Sequence, residues 1–440
     1  MLNDFKLSGG INIKKRYAQV GIGGRAGLYY EALCSTYKES CELVGFCDLS
    51  RTRMDFANRL LAERYGAAPV PAYNYTEFEK MIDETRPDTV IVTSIDRTHH
   101  DYIARAMEKG CDVITEKPMT IDERKAQHII DCIARTGRKL RVVFNYRYAP
   151  SATKIRELIM DGVIGEVFSV HFEWLLDTRH GADYYRRWHR NKANSGGLLV
   201  HKATHHFDIV NFWLGAKPET VFAFGERNFY GKENAERRGV QEFYYRSHGS
   251  EAAKNDHFGL PLEDNATLKA LYLDAEVDSG YLRDRSVFGD DISIEDTMGV
   301  LVQYDNRVIL SYSLNSYMPW EGHVVSINGS KGRIEYKVTE KSYVNAGGDR
   351  ADEGAHSGVD IVVRPMFGAP YRVECEVIEG GHGGSDEIML NDMFGEPAPD
   401  RFNRAASHMD GAMSILIGIA ANKAIAGGQV VKIRDLVRFN

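Results

Sequence analysis

At 440 residues, the chain is long enough for two or three domains of roughly 150 residues each. With 43% hydrophobic and 27% charged residues, 41 glycines and 12 prolines, its composition is that of a folding globular chain and excludes a fibrous or linker-like one. Against 62 acidic side chains there are 55 basic ones, a formal net charge of −7, so no basic excess is available for a phosphate backbone and no nucleic-acid partner is expected.

The opening, Met1 to Lys15, lacks a basic segment followed by an apolar one, and no stretch reads as 18 uncharged apolar residues. The expectation is a cytoplasmic protein with no membrane partner. Six cysteines (Cys34, Cys41, Cys47, Cys111, Cys132, Cys375) form no CxxC pair and mostly sit in apolar runs, so they read as reduced core thiols.

From Tyr17 to Val92, strand-like and helix-like patterns alternate, the mark of βαβ units around a parallel sheet. Tyr17 to Val20 runs into Gly21-Ile22-Gly23-Gly24-Arg25-Ala26-Gly27, and a helical pattern continues from Leu28 to Tyr37. Strand, glycine turn and helix in that order suit a dinucleotide: one glycine allows the bend, the next admits a pyrophosphate, and the helix N-terminus offers free N–H groups. The third glycine position is Ala26, and a second strand, Glu42 to Cys47, ends at Asp48, placed to bind a ribose 2′-hydroxyl. Arg51 and Arg53 follow closely and would suit a 2′-phosphate, so NAD is expected, with NADP as the alternative.

Two more strands, Thr89 to Thr93 and Asp112 to Thr115, end in Ser94-Ile95-Asp96-Arg97-Thr98-His99 and in Glu116-Lys117-Pro118. Ligands of open parallel sheets bind beyond the strands' carboxyl ends, so Ser94, Asp96, His99, Glu116 and Lys117 are expected in the cofactor crevice. Lys117 also reads as a cationic catalyst, because burial can move its pKa toward neutrality. A fifth strand, Leu140 to Phe144, ends in Asn145-Tyr146-Arg147-Tyr148. Asn145 is expected at the cofactor, and Tyr146 and Arg147 at the substrate.

The glycine turn, the Glu116-Lys117-Pro118 triplet, Asn145-Tyr146-Arg147 and Ser195-Gly196-Gly197-Leu198-Leu199, with a histidine eight residues after Gly197, together resemble the Gfo/Idh/MocA family of nicotinamide-dependent oxidoreductases over nearly the whole chain. The resemblance implies that Lys117 is the family's characteristic lysine and His205 its catalytic base. His201 stands where relatives commonly carry an aspartate. His205 would take the proton of a substrate hydroxyl while hydride leaves the same carbon, and Lys117 would stabilise the developing alkoxide. An ordinary imidazole, titrating near 6.5, suits that task near neutrality.

Read from its residues, the same segment is a helix capped by Ser195, with Leu199, Ala203, Phe207, Val210 and Leu214 as its buried stripe. His201, His205 and Asp208 would share another face, a spacing that could bind zinc. Hydride transfer needs no metal, and none is expected.

Beyond Pro150 longer alternating strands appear, Val167 to Trp174, Val300 to Tyr304 and Val308 to Leu314. The expected fold is α/β: a doubly wound Rossmann domain over 14–146, then an α+β domain over 147–440 with a large, open, mostly antiparallel sheet. The resemblance gives that sheet the substrate pocket and the subunit interface of a homo-dimer or homo-tetramer. Arg187, Trp188 and His189, and the glycine-bracketed His382, are expected to meet a sugar or polyol ring. The charged stretch 229–296 reads as an insertion without chemistry, and a final helix, Ala405 to Ala426, precedes a closing strand near Val431.

The function expected is NAD(P)-dependent oxidation of a secondary hydroxyl on a sugar, glycoside or cyclitol. One alternative is an enzyme that retains NAD and uses transient oxidation to break a glycosidic bond by elimination, with no net NADH. Another is a non-catalytic nucleotide-binding regulator.

Overall fold

The computed structural model describes residues 14–341, 348–376, 378–397 and 399–439. Its first sheet has six parallel strands in the order β3-β2-β1-β4-β5-β6: β1 Lys15–Val20, β2 Cys41–Asp48, β3 Ala72–Asn74, β4 Thr89–Val92, β5 Asp112–Glu116 and β6 Leu140–Val143. The order reverses between β1 and β4, which opens a crevice at the strands' carboxyl ends. Helices cover both faces, so all of β4 (Thr89-Val90-Ile91-Val92) is buried and reads as a continuous apolar run. Helix α1 spans Gly27–Cys34 and α2 spans Arg51–Tyr65. Ser50 starts α2 by accepting the Arg53 N–H, and Gly66, in the left-handed conformation, ends it.

The second sheet has nine strands: β7 Val167–Asp177, β8 Pro218–Glu226, β9 Thr297–Tyr304, β10 Ile309–Met318, β11 Glu321–Gly329, β12 Gly332–Glu340, β13 His356–Pro365, β14 Tyr371–Arg372 and β15 Val431–Lys432. Their order is β14-β13-β12-β11-β7-β10-β9-β8-β15. Every pair is antiparallel except the central β7 and β10. Burial alternates along β9 and β12, as expected of a sheet with one covered face. The expected closing strand is β15, only two residues long, paired with the edge of β8.

That face packs on helices Pro150–Met160, Ala203–Leu214 and His408–Gly427. The last is, by length and composition, apolar enough to cross a membrane. Here it runs along β8 and the helix Ala203–Leu214, with Ile415 to Ala421 buried. A Cβ at Gly418 would come within 2.2 Å of the Leu199 carbonyl oxygen, so a residue without a side chain is needed where this helix supports the histidine-bearing turn. All six cysteines are free, and Cys34 and Cys375 are only half-buried.

Candidate active site

One cavity of about 800 Å³ extends from the glycine turn to the second sheet. At one end lie Gly21, Gly23, Gly24 and Arg25. Gly21 has φ +86°, and a Cβ there would strike the Ser94 backbone at 2.4 Å, whereas above Gly23 a Cβ would meet nothing within 4 Å. That open backbone is the approach a pyrophosphate requires. Asp48 closes the turn, Oδ2 accepting the Ile22 N–H at 2.5 Å and Oδ1 the Ser50 N–H at 2.7 Å. Ala26 is buried beneath the turn, its carbonyl accepting from Gln19, and does not line the cavity. Arg51 does not line it either. Its side chain is two-thirds exposed and pairs with Asp55, and of the two arginines only Arg53 reaches the cavity wall.

The tails of β4 and β5 meet across the crevice. His99 joins them, with Nδ1 2.8 Å from the Pro118 carbonyl oxygen and Nε2 3.0 Å from that of Ser94. Glu116 Oε1 accepts from Arg25 at 2.8 Å and from Tyr29 at 2.6 Å. Burial pushes the Glu116 carboxyl up, but Arg25 and the Tyr29 hydroxyl outweigh it and hold the group below the usual carboxylate range. Arg25 also pairs with Asp386, which accepts from Asn145 at 2.9 Å and contacts His382 Nδ1 at 2.9 Å. His382 itself has φ +51° and heads a left-handed turn completed by Gly383 and Gly384. Burial alone would lower its pKa, yet Asp386 raises it. One buried carboxylate thus ties the glycine turn, the β6 tail and the His382 turn together.

Lys117, joined to Pro118 by a cis peptide bond, donates from Nζ to the His201 carbonyl oxygen at 3.2 Å. Burial first, then the charge of Lys202, lower its pKa to about 8. The histidine segment is not one helix. It consists of short turns at Lys192–Ser195 and Leu198–His201, followed by the helix Ala203–Leu214. Ser195 Oγ donates to the His189 carbonyl and accepts the Gly197 N–H, so it braces the glycine pair instead of capping a long helix. His205 stacks on Tyr146, ring centroids 4.6 Å apart and planes 17° off parallel, and its buried Nδ1 has no hydrogen-bond partner. Burial and the neighbouring Lys117 and Lys202 charges hold its pKa well below 6.5, so the ring is neutral at and below neutrality, and not only above an ordinary imidazole pKa.

Asp208 lies elsewhere. It accepts two hydrogen bonds from Arg147, at 2.6 and 2.7 Å, and Arg147 reaches Asp410 at 2.9 Å. Arg147, 2% exposed, is therefore a buried ion-pair residue and does not line the cavity, which corrects both its expected substrate contact and the expected His201, His205, Asp208 face. The carboxylate beside His201 is instead Asp96, with Oδ2 2.5 Å from His201 Nδ1. Burial disfavours charge on both, raising the Asp96 carboxyl and lowering the His201 imidazole.

Asp96, His189 and His201 offer ligand atoms within 4.8 Å of one another, a spacing that could hold a metal ion. The charges of Lys117 and Arg187 beside them oppose a cation. His189 stacks on Trp188, centroids 3.6 Å apart, and Arg187 pairs with Asp183 at 3.0 Å, so all three residues of that stretch reach the cavity.

Several lining residues carried no expectation. Lys202 Nζ sits 4.5 Å from the Trp174 ring centroid. Burial raises Glu321 to about 8 and Glu340 to about 7, and Glu321 lies 2.5 Å from His180 Nδ1. Tyr272, Tyr281 and Arg283 come from the stretch 229–296. Arg283 pairs with buried Asp183 at 2.8 Å.

A parallel sheet with a glycine turn at its reversal, opening into a cavity that holds a depressed lysine and a neutral histidine, defines a nicotinamide-dependent oxidoreductase. The comparisons agree: residues 15–144 match the oxidoreductase-family NAD-binding Rossmann fold, and 156–433 match the same family's C-terminal alpha/beta domain. The chain belongs to the Gfo/Idh/MocA oxidoreductase family and is an NAD(P)-dependent dehydrogenase. It is similar to YteT of Bacillus subtilis (strain 168), 36% identical over 95% of this chain and 98% of that protein. It is also similar to the D-glucoside 3-dehydrogenase of Escherichia coli (strain K12), 30% identical over 46% of this chain and 54% of the enzyme. Among solved structures, an Agrobacterium radiobacter oxidoreductase in complex with NAD+, L-tartaric acid and magnesium superposes with a TM-score of 0.62 at 15% identity, covering 97% of this chain and 100% of that one.

Proposed function

We propose that the protein oxidises a secondary hydroxyl of a polyhydroxylated ring, a sugar, glycoside or cyclitol, with Lys117 and His205 as its catalytic residues. The observation that carries this is the pairing of those two side chains at one cavity: Lys117 Nζ is anchored on the turn that bears His201, four residues before His205, whose buried Nδ1 has no hydrogen-bond partner among the described residues. Gly21 to Arg25 and Asp48 would hold a nicotinamide dinucleotide, which would supply the hydride acceptor. Ser94, Asp96, His99, Glu116 and Asn145 form the surrounding wall.

His205, neutral, accepts the hydroxyl proton on a ring nitrogen. Lys117, charged below about pH 8, donates to the same oxygen as negative charge develops there. His201 and Asp96, sharing a hydrogen bond, fix the turn and offer a partner to an adjacent hydroxyl. Tyr146, Arg187, Trp188, His189 and His382 give the aromatic faces and hydrogen-bond donors a ring substrate uses.

A second reading, an NAD-retaining glycosidase or lyase, is favoured by Glu321, which holds a proton at neutral pH and could deliver it to a leaving oxygen. Homo-oligomerisation is supported by Phe168, Phe224, Leu301 and Ile309, each at least half exposed on the sheet strands. A domain division near residue 146 is supported by the break between the two sheets.

The test is absorbance at 340 nm with NAD+ and then NADP+ against free sugars, glycosides and cyclitols. Stoichiometric NADH with one class supports the dehydrogenase. Product without net NADH supports the second reading, and no turnover of any class overturns both.

A further inference from the structure

We propose that the stretch 229–296 selects the dinucleotide, with Asp278 as the residue that excludes a 2′-phosphate. This rests on the nicotinamide dinucleotide lying along the glycine turn. In such a crevice the adenine ribose meets the end of β2, and a 2′-phosphate is read by the groups just beyond it: the first N–H groups of the next helix, a hydroxyl and an arginine. This chain has all of them, in Ser50, Thr52 and Arg53 at the start of α2.

Each is engaged by the stretch 229–296. Asp278 Oδ2 accepts from Ser50 Oγ at 2.6 Å and from the Thr52 N–H at 2.9 Å, so a carboxylate already stands where the phosphate oxygens would bind. Arg53, at the cavity wall, is held on one side, Nε donating to the Leu271 carbonyl at 2.8 Å and the guanidinium lying 5.4 Å from the Tyr272 ring centroid and 5.9 Å from that of Tyr281, while its buried Nη2 has no hydrogen-bond partner among the described residues. Tyr272 then reaches the glycine turn, its hydroxyl oxygen accepting the Gly24 N–H at 3.2 Å. Asp48 lines the cavity at the ribose edge, and Asp278 is held at the adjoining start of α2. A free 2′-hydroxyl can donate to Asp48, whereas a dianionic phosphate meets two like charges and finds the Ser50 and Thr52 donors occupied.

The test measures dissociation constants of NAD+ and NADP+ on the full chain by titration calorimetry, for the wild type, Asp278→Ser and Asp278→Asn. The asparagine variant keeps an acceptor for Ser50 and Thr52 while removing the charge, which covers the case in which the serine variant fails to fold. The wild type is expected to favour NAD+. Either variant is expected to tighten NADP+ by about tenfold or more with NAD+ held within about threefold. Unchanged NADP+ affinity in variants that bind NAD+ normally overturns the role of Asp278 alone. A wild type that binds neither dinucleotide overturns the cofactor placement as well.

Discussion

Replacing Arg147 with methionine tests whether this residue holds the fold or the substrate. The guanidinium makes two hydrogen bonds to Asp208, whose side chain is 1% exposed, and lies 5.1 Å from the Phe212 ring centroid. Methionine keeps the apolar contact with Phe212 but strands the Asp208 carboxylate away from water. Breaking a buried pair from one side costs about 3–5 kcal/mol. The second partner, Asp410, is 37% exposed and can turn to solvent, so its bond adds little. At a urea dependence of about 3 kcal/mol per molar, the apparent unfolding midpoint should fall by roughly 1–1.7 M, with the remaining folded protein still binding substrate normally. Adding Asp208→Leu removes the stranded charge and should restore most of the loss, because an apolar replacement of a buried ion pair is often neutral. Circular dichroism in urea follows the midpoint, and initial rates follow KM. An unmoved midpoint with a raised KM would refute the structural assignment and return Arg147 to the substrate.

Two further outcomes concern the reacting groups. Lys117, lowered to about 8, carries its charge below that pH and loses it above, so kcat/KM for oxidation should fall on the alkaline side of about pH 8. Lys117→Met should cost about 100- to 1000-fold in kcat and abolish this alkaline limb while NAD+ still binds, and a wild-type rate that climbs steadily to pH 10 would mean that the neutral amine is the active form. His205 stays neutral through the neutral range, so it contributes no rise in rate there. Treatment with a chelator should leave turnover unchanged, because Lys117 and Arg187 repel a cation from Asp96, His189 and His201. A loss of about tenfold or more that added divalent ion restores would instead make that trio a metal site.

What the sequence could show is what short-range pattern controls. Gly21 to Ala26, Asp48 and the polar tails after Thr93 and Thr115 are legible because a strand that ends beside a glycine turn leaves its next residues at the sheet's carboxyl edge, whatever the rest of the chain does. The histidine segment shows the limit of the same reasoning. A helical wheel assumes one continuous helix, yet the chain turns at Lys202 between Leu198–His201 and Ala203–Leu214, so His201 meets a carboxylate from the β4 tail, and Asp208 meets Arg147. Arg147 stood in a polar run at a strand end and read like Asn145 and Tyr146, because nothing local reveals that Asp208 and Asp410, 61 and 263 residues away, converge on it.

The stretch 229–296 was opaque for the same reason in stronger form. Its short turns repeat no apolar period, and what gives it meaning are single contacts at long range, Tyr272 with Gly24 across 248 residues and Asp278 with Ser50 across 228. Composition could register its charge but not that one carboxylate would lie against the helix start beyond Asp48. The arginines at 51 and 53 left the choice between NAD and NADP open in the sequence. In three dimensions Arg51 faces solvent and Arg53 is held by Leu271, Tyr272 and Tyr281, contacts that no local pattern reveals. Selectivity placed in a distant segment can change without touching the glycine turn, so two chains with the same turn and the same Asp48 can differ in cofactor through residues such as Asp278 alone.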